Sequence, residues 1–267
     1  MPGPAVDVIR SFGAVESDQR YTRLVELFAD DAVYYDPFFG PQRGKAAIAE
    51  FMGHMEAMMP SRGVRFDEWE VEADRTVGWA RWTMWVPGSD GTAVPIPGQS
   101  LYRLNEACQV TYAADYVDSV AYRRLRPGKE SPDAASAAGW SIDPRNASGP
   151  AADLVRRFWD IQTAARYSEL AALFAPDAVF TDLVYGRFEG HDAVAAYLRR
   201  METEMPEQGV RFELVDAAGD EHVAWSQWWC HFPTGSIPGW TLHTVRDGLI
   251  TLDADYFDVV AARALSR

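Results

Sequence analysis

The chain has 267 residues, 48% hydrophobic and 13% aromatic, with a formal net charge of -14. That length suits two domains of about 125 residues, each able to bury its own core, and the charge excludes nucleic-acid backbones and anionic membrane surfaces as partners. No apolar run approaches the ~18 residues of a membrane span, and Met1-Pro2-Gly3-Pro4 has neither the basic nor the apolar region of a signal peptide.

From the N-terminus, Val6, Ile9 and Phe12 space a first helix, and Leu24, Leu27 and Phe28 a short second one. A strand through Val33 ends at Asp36-Pro37. A third helix then places Ile48, Phe51, Met52, Met55 and Met59 on one face and is expected to stop at Pro60. Strands follow: Val64 to Glu72, Val77 to Val86 after an acidic turn at Asp74, a Pro/Gly segment, Ser100 to Leu104, and Val110 to Val120 after a turn at Asn105-Glu106. Residues 126–150, rich in Ala, Ser, Gly and Pro, read as a linker spanning on the order of 25–30 Å if flexible.

The same elements then return. Leu27-Phe28-Ala29-Asp30-Asp31-Ala32-Val33-Tyr34-Tyr35-Asp36 comes back as Leu173-Phe174-Ala175-Pro176-Asp177-Ala178-Val179-Phe180-Thr181-Asp182, 146 residues on. Gly63-Val64-Arg65-Phe66 returns as Gly209-Val210-Arg211-Phe212. After a small deletion, Ile96-Pro97-Gly98 returns as Ile237-Pro238-Gly239 and Asp115-Tyr116-Val117-Asp118 as Asp255-Tyr256-Phe257-Asp258. Leu154, Val155, Phe158 and Ile161 repeat the first helix; Val194, Tyr197, Leu198, Met201 and Met205 repeat the third, with Pro206 as its expected stop. So long a period means a duplicated domain, with copies over 1–125 and 151–267. Cys108 and Cys230 fall at non-equivalent places in the copies, so a structural disulfide is not expected and a reducing cytoplasm is. Helices followed by a mostly antiparallel sheet make each copy an α+β domain. A curved sheet wrapped around N-terminal helices leaves a cone-shaped cavity suited to a small apolar ligand.

Two acids recur in both copies: Asp36 with Asp182, and Asp115 with Asp255. A carboxylate in an aromatic strand must reach solvent, find a donor, or line a pocket where burial raises its pKa. Asp36 and Asp182 also suit a turn-organising role. Strand alternation separates Asp115 from Asp118, so one faces inward and the other faces solvent or caps a turn. Arg81 is placed to anchor Asp115, although its counterpart is Gln227. The second copy adds His231, His243 and Asp253, which with Asp255 would form an acid/base set, or else hydrogen-bonded packing. Tyr34, Phe38, Met55, Trp79, Trp85 and Tyr102, with Met201, Trp225 and Trp240, are the candidate cavity lining; many Trp side chains are also plain core. Flat rings favour polycyclic or terpenoid ligands. With no metal-ligand spacing, no Gly-rich phosphate loop and no nucleophile elbow, no metal or cofactor is expected.

Phe28-Ala29-Asp30-Asp31-Ala32 through Asp36-Pro37-Phe38, then Gly44 and Ala47-Ile48-Ala49-Glu50-Phe51, resembles the ketosteroid isomerase branch of the nuclear transport factor 2-like superfamily. Ile96-Pro97-Gly98 and Asp115-Tyr116-Val117-Asp118, with their second-copy equivalents, resemble SnoaL-like polyketide cyclases and limonene epoxide hydrolases. The resemblance spans both copies. It implies tandem cone-shaped domains and an Asp that shuttles a proton: Asp36 or Asp182 by the isomerase pattern, Asp115 or Asp255 by the cyclase pattern. The isomerases form their oxyanion hole from a Tyr and an Asp kept protonated by its apolar site. Those two positions carry Phe12 and Ser100 here, and Phe158 and Thr241 in the second copy. The epoxide hydrolases' Asp-Arg-Asp trio is met only by Arg81 and Asp115, with Thr83 in the third place.

Together these features lead us to expect an acid/base enzyme of secondary metabolism, a cyclase, isomerase, lyase or epoxide-opening catalyst acting on a polyketide- or terpenoid-like substrate. The alternatives are a non-catalytic carrier or sensor of a small apolar ligand, and a chain with one reacting half and one scaffold half. Domains that resemble these pair through their sheets, so the halves would form an intramolecular pseudo-dimer or a homodimer.

Overall fold

The computed structural model describes residues 4–88, 90–125 and 149–266. The chain divides into two compact units, Met1–Gly139 and Trp140–Arg267. Nearly all of the expected linker lies outside the described residues.

The first unit opens with helix α1 (Pro4–Ser17), which buries Val6, Ile9 and Phe12 at the helical spacing of its apolar residues. The short second helix is a 3-10 turn over Tyr21–Leu27, and Phe28 already begins strand β1 (Phe28–Asp36). Strand β2 (Gly40–Arg43) returns antiparallel to β1, and helix α2 (Lys45–Met58) follows, burying Ile48, Phe51, Met52 and Met55. Then come β3 (Arg65–Ala73), β4 (Val77–Pro87), β5 (Ala93–Leu104), β6 (Val110–Val117) and helix α3 (Ser119–Leu125). The sheet order is β2-β1-β6-β5-β4-β3, antiparallel except where β1 lies parallel to β6. The second unit repeats this with α4 (Pro150–Thr163), a one-turn α5 (Tyr167–Leu170), β7 (Phe174–Asp182), β8 (Gly186–Glu189), α6 (His191–Glu207), β9 (Arg211–Gly219), β10 (Val223–Phe232), β11 (Gly235–Arg246), β12 (Leu249–Phe257) and α7 (Val259–Leu265), in the order β8-β7-β12-β11-β10-β9. Each unit is thus an α+β fold with a curved, open sheet and helices against it, as the sequence implied. No described helix is long and apolar enough to cross a membrane.

Three local expectations change. The Pro/Gly segment before Ser100 belongs to β5: Pro95 and Pro97 pair with β4, while β6 meets β5 only from Gly98 onward, so their missing N–H groups fall on a side without a partner strand. Pro206 does not end its helix but sits in the last turn of α6, where only one backbone bond is lost. The strand expected to run to Val120 stops at Val117. There Asp118 accepts from the N–H of Ala121 at 2.7 Å and starts α3, and Asp258 caps α7 through Val260 and Ala261 at 2.9 Å each.

Candidate functional site

Alternate residues of each strand face the helices. In the first unit Trp82 and Met84 of β4, Ile96 of β5, and Asp115 and Val117 of β6 face inward, and with α1, α2 and α3 they enclose a cavity of about 610 Å³. Its walls are thioether, aliphatic and aromatic; its charged residues are Glu16, Asp36, Asp115 and Arg62, joined by the phenols of Tyr34 and Tyr122.

Asp115 is held by two hydroxyls. Tyr34 donates to Oδ2, and Ser100 donates to Oδ1 at 2.6 Å while accepting from Trp82 Nε1 at 2.9 Å. The Trp82 indole lies across Gly98, its cross-strand partner, and a Cβ there would meet the ring at 2.2 Å. The Ile-Pro-Gly motif therefore seats the tryptophan that orients Ser100, and Ser100 orients the acid. Asp36 closes an Asx turn: Oδ1 accepts from the backbone N–H of Phe38 at 2.7 Å and Phe39 at 3.0 Å. Burial, and then the charge of Asp115, push the Asp36 carboxyl up to about 7 against the lowering effect of those N–H donors. Burial also raises Asp115 to about 6, opposed by Ser100 and Tyr34. Glu16, on the last turn of α1, is raised well above the usual carboxyl range by burial and by both aspartates.

The second unit keeps this plan with other side chains. Trp228 crosses Gly239 and donates to Thr241 at 2.8 Å, and Thr241 donates to Asp255 at 2.6 Å. Asp182 holds the same turn through Val184 and Tyr185, and also accepts from Tyr197 at 2.9 Å. Its cavity, however, is only about 90 Å³. Phe232 and Phe257 stand where the first unit has Val86 and Val117, and Trp159 packs 5.9 Å from Trp228 where the first unit has Gly13. Deeper on the same sheet face, His243 Nδ1 lies 3.1 Å from Asp253 Oδ2 and His243 Nε2 3.2 Å from Ser226 Oγ, all three side chains fully buried. Burial pushes His243 down to about 3 and Asp253 well up, each toward its neutral form.

A model of the SnoaL-like domain matches this chain twice, over residues 8–113 and 155–252. The chain belongs to the SnoaL-like domain family. Among solved structures, an NTF2-like protein of unknown function from Mesorhizobium loti is 25% identical, over 45% of this chain and 99% of its own, with a TM-score of 0.37. A proposed polyketide cyclase from Xanthomonas campestris pv. campestris is 20% identical over 44% and 97%, with a TM-score of 0.38. The epoxide hydrolase/cyclase-like enzyme SalBIII, of pyran ring formation in the polyether salinomycin, is 13% identical over 44% and 92%, with a TM-score of 0.37. No curated protein matches the chain.

Within the first SnoaL-like unit, the fold brings Asp36, Asp115, Tyr34, Phe38 and Met55 to one cavity; in the second it brings Asp182, Asp255 and Met201. Several expected site residues point elsewhere. Arg81, Trp79 and Trp85 are one residue out of phase with Trp82 and face the other side of the sheet. Arg81 pairs with Glu70 at 3.2 Å and stacks on Trp79, and Trp85 donates to Asp67. Trp225 and Trp240 lie on the same outward face of the second SnoaL-like unit, and so does His231, which bonds Ser236 and Glu213 at 2.7 and 3.0 Å. Tyr102 faces inward but is packed on Phe12 at 5.2 Å, below the cavity. His243 and Asp253 likewise sit beneath the second cavity and do not line it. Glu16 was not among the residues expected from the sequence; its signal was the exchange with Gln162, a side chain of the same shape at the same helix position.

Proposed function

We propose that the first SnoaL-like unit is an acid/base catalyst acting on an apolar, polyketide- or terpenoid-sized molecule, and that Asp36 and Asp115 move the proton. The observation that carries this is a pair of carboxyls, buried Asp36 and half-buried Asp115, at the polar part of a 610 Å³ apolar cavity, raised to about 7 and about 6. At roughly 30 Å³ per water that cavity equals about 20 waters, the room of a fused-ring ligand. Near neutral pH such a pair holds one proton readily and gives it up readily, as proton removal next to a carbonyl, or opening of an epoxide, requires. Tyr34 and Ser100 fix the Asp115 carboxylate; the Phe38 and Phe39 amides fix Asp36 by one oxygen and leave Oδ2 outside those bonds. General acid/base action of this kind contributes roughly 10²–10⁴-fold.

The test is deuterium exchange at the α-carbon of a bicyclic ketone, 2-tetralone, followed by NMR in heavy water. The wild-type protein should accelerate exchange over buffer, and Asp36→Asn with Asp115→Asn should return it to the buffer rate. Unchanged exchange in the double variant, or none in the wild type, refutes the assignment. The second unit is better assigned a supporting part, since about 90 Å³ holds no more than a few waters.

A further inference from the structure

We infer that Glu16 is a third catalytic group of the first cavity, a neutral carboxylic acid that donates a hydrogen bond to the reacting oxygen of the substrate. The inference rests on the acid/base reading of that cavity and adds to it the class of ligand: one whose reacting end carries a neutral oxygen acceptor, a carbonyl or an ether, and not an anion.

Three observations lead there. First, Glu16 lines the cavity together with Tyr34, Asp36 and Asp115, so a ligand oxygen near the two aspartates is within reach of the last turn of α1. Second, its counterpart Gln162 occupies the same position of α4, is 7% exposed, and lines the second cavity. Gln and a protonated Glu have one shape and one hydrogen-bonding capacity, a carbonyl acceptor beside a donor; an ionised Glu has no donor. The two copies therefore agree in placing a neutral donor here and disagree only in how it is made. Third, the donors that adjoin the two aspartates are already spent on them. Tyr34 and Ser100 serve Asp115, and the amides of Phe38 and Phe39 serve Asp36. No side-chain hydrogen bond or ion pair to the Glu16 carboxyl is formed among the described residues. The titratable groups around it are Asp36, Asp115 and the phenols of Tyr21, Tyr34 and Tyr102, all neutral or negative, and the one basic lining residue, Arg62, is exposed. Such surroundings keep the Glu16 proton in place. When a base removes a proton from carbon, the electron pair moves toward the oxygen, and a donor aimed at that oxygen stabilises the charge as it forms.

The experiment uses two three-ring probes of nearly equal size, 9-fluorenone, which carries a carbonyl, and fluorene, which does not. Their affinity ratio, compared between variants of the full chain, cancels their difference in hydration. Glu16→Ala should lower the fluorenone-to-fluorene ratio roughly 5–10-fold, the worth of one hydrogen bond, with fluorene affinity kept as the measure of an intact cavity. Glu16→Gln should keep most of the ratio. A preference that survives in Glu16→Ala, or that is lost in Glu16→Gln, overturns the assignment. If both probes bind without preference, Glu16 alone loses its role; if neither binds, the reading of the cavity falls with it.

Discussion

Asp36→Asn tests whether the first cavity is as poorly solvated as its walls imply. In the folded chain the carboxyl is pushed from 3.8 to about 7, mainly by burial. A rise of that size corresponds to roughly 4 kcal/mol. The sign follows from proton counts. Between about pH 4 and pH 7 the folded state holds a proton on Asp36 that the unfolded chain has released. Stability from this group is therefore full below about pH 4 and lost as the pH rises through about 7. The asparagine cannot titrate, and its Oδ1 still accepts from Phe38 and Phe39, so the turn survives. The stability of the variant relative to wild type should then rise by about 2–3 kcal/mol from pH 5 to pH 8, the part of the 4 kcal/mol that falls in that window. Urea denaturation followed by tryptophan fluorescence at pH 5, 6, 7 and 8 measures it, and the second unit, common to both proteins, cancels in the difference. Parallel curves for the two proteins, within ~1 kcal/mol across that range, would refute a dry Asp36.

Further perturbations address the supports of the site. Gly98→Ala places a methyl where the Trp82 ring lies, so it should destabilise by about 1–3 kcal/mol and change tryptophan emission; an unchanged urea midpoint rules out the close approach. Val86→Phe with Val117→Phe gives the first cavity the side chains of the second and should weaken fluorene binding more than ~10-fold at undiminished stability, read by titration and urea denaturation. Asp253→Ala should destabilise by about 1–3 kcal/mol by leaving buried His243 without its carboxyl partner. The triple change Ser226→Ala, His243→Tyr and Asp253→Ala installs the residues of the first unit and should restore or exceed wild-type stability; a triple variant less stable than the single one contradicts this.

The helices were legible because each has one apolar stripe: Val6, Ile9 and Phe12, or Ile48, Phe51 and Met55, are buried as their spacing implies. The strands were legible in place but not in phase. Alternation fixes which residues share a face, and it takes a polar face to say which one looks inward. Here both faces of β4 carry large buried rings, Trp79 at 0% exposed and Trp82 at 6%, so the sequence offered no asymmetry and the wrong set of tryptophans was favoured. The two aspartate pairs carried a stronger signal, since an acid kept in both copies of an aromatic strand needs a donor or a cavity. The Trp–Ser–Asp chain was hidden because its geometry runs across strands, from β4 through β5 to β6, and only the register joins Trp82 to Gly98 and Ser100 to Asp115.

In each unit one phenol bonds one of the two acids, and the copies differ in which. The first has Tyr34 on β1 and Phe51 on α2; the second has Phe180 on β7 and Tyr197 on α6. Tyr34 reaches Asp115, whereas Tyr197 reaches Asp182. The acid left without a phenol is thus Asp36 in the first unit and Asp255 in the second. Their surroundings then separate them. Asp36 has two backbone N–H donors and settles near 7, while Asp255 accepts from Thr241 and is raised well above the usual range by burial first and then by Asp253 and Asp182. A group near 7 can both take and return a proton in neutral solution, and each further rise favours the neutral acid. Two phenylalanine–tyrosine exchanges and one added acid therefore give the two pairs of acids different surroundings, with the backbone plan unchanged.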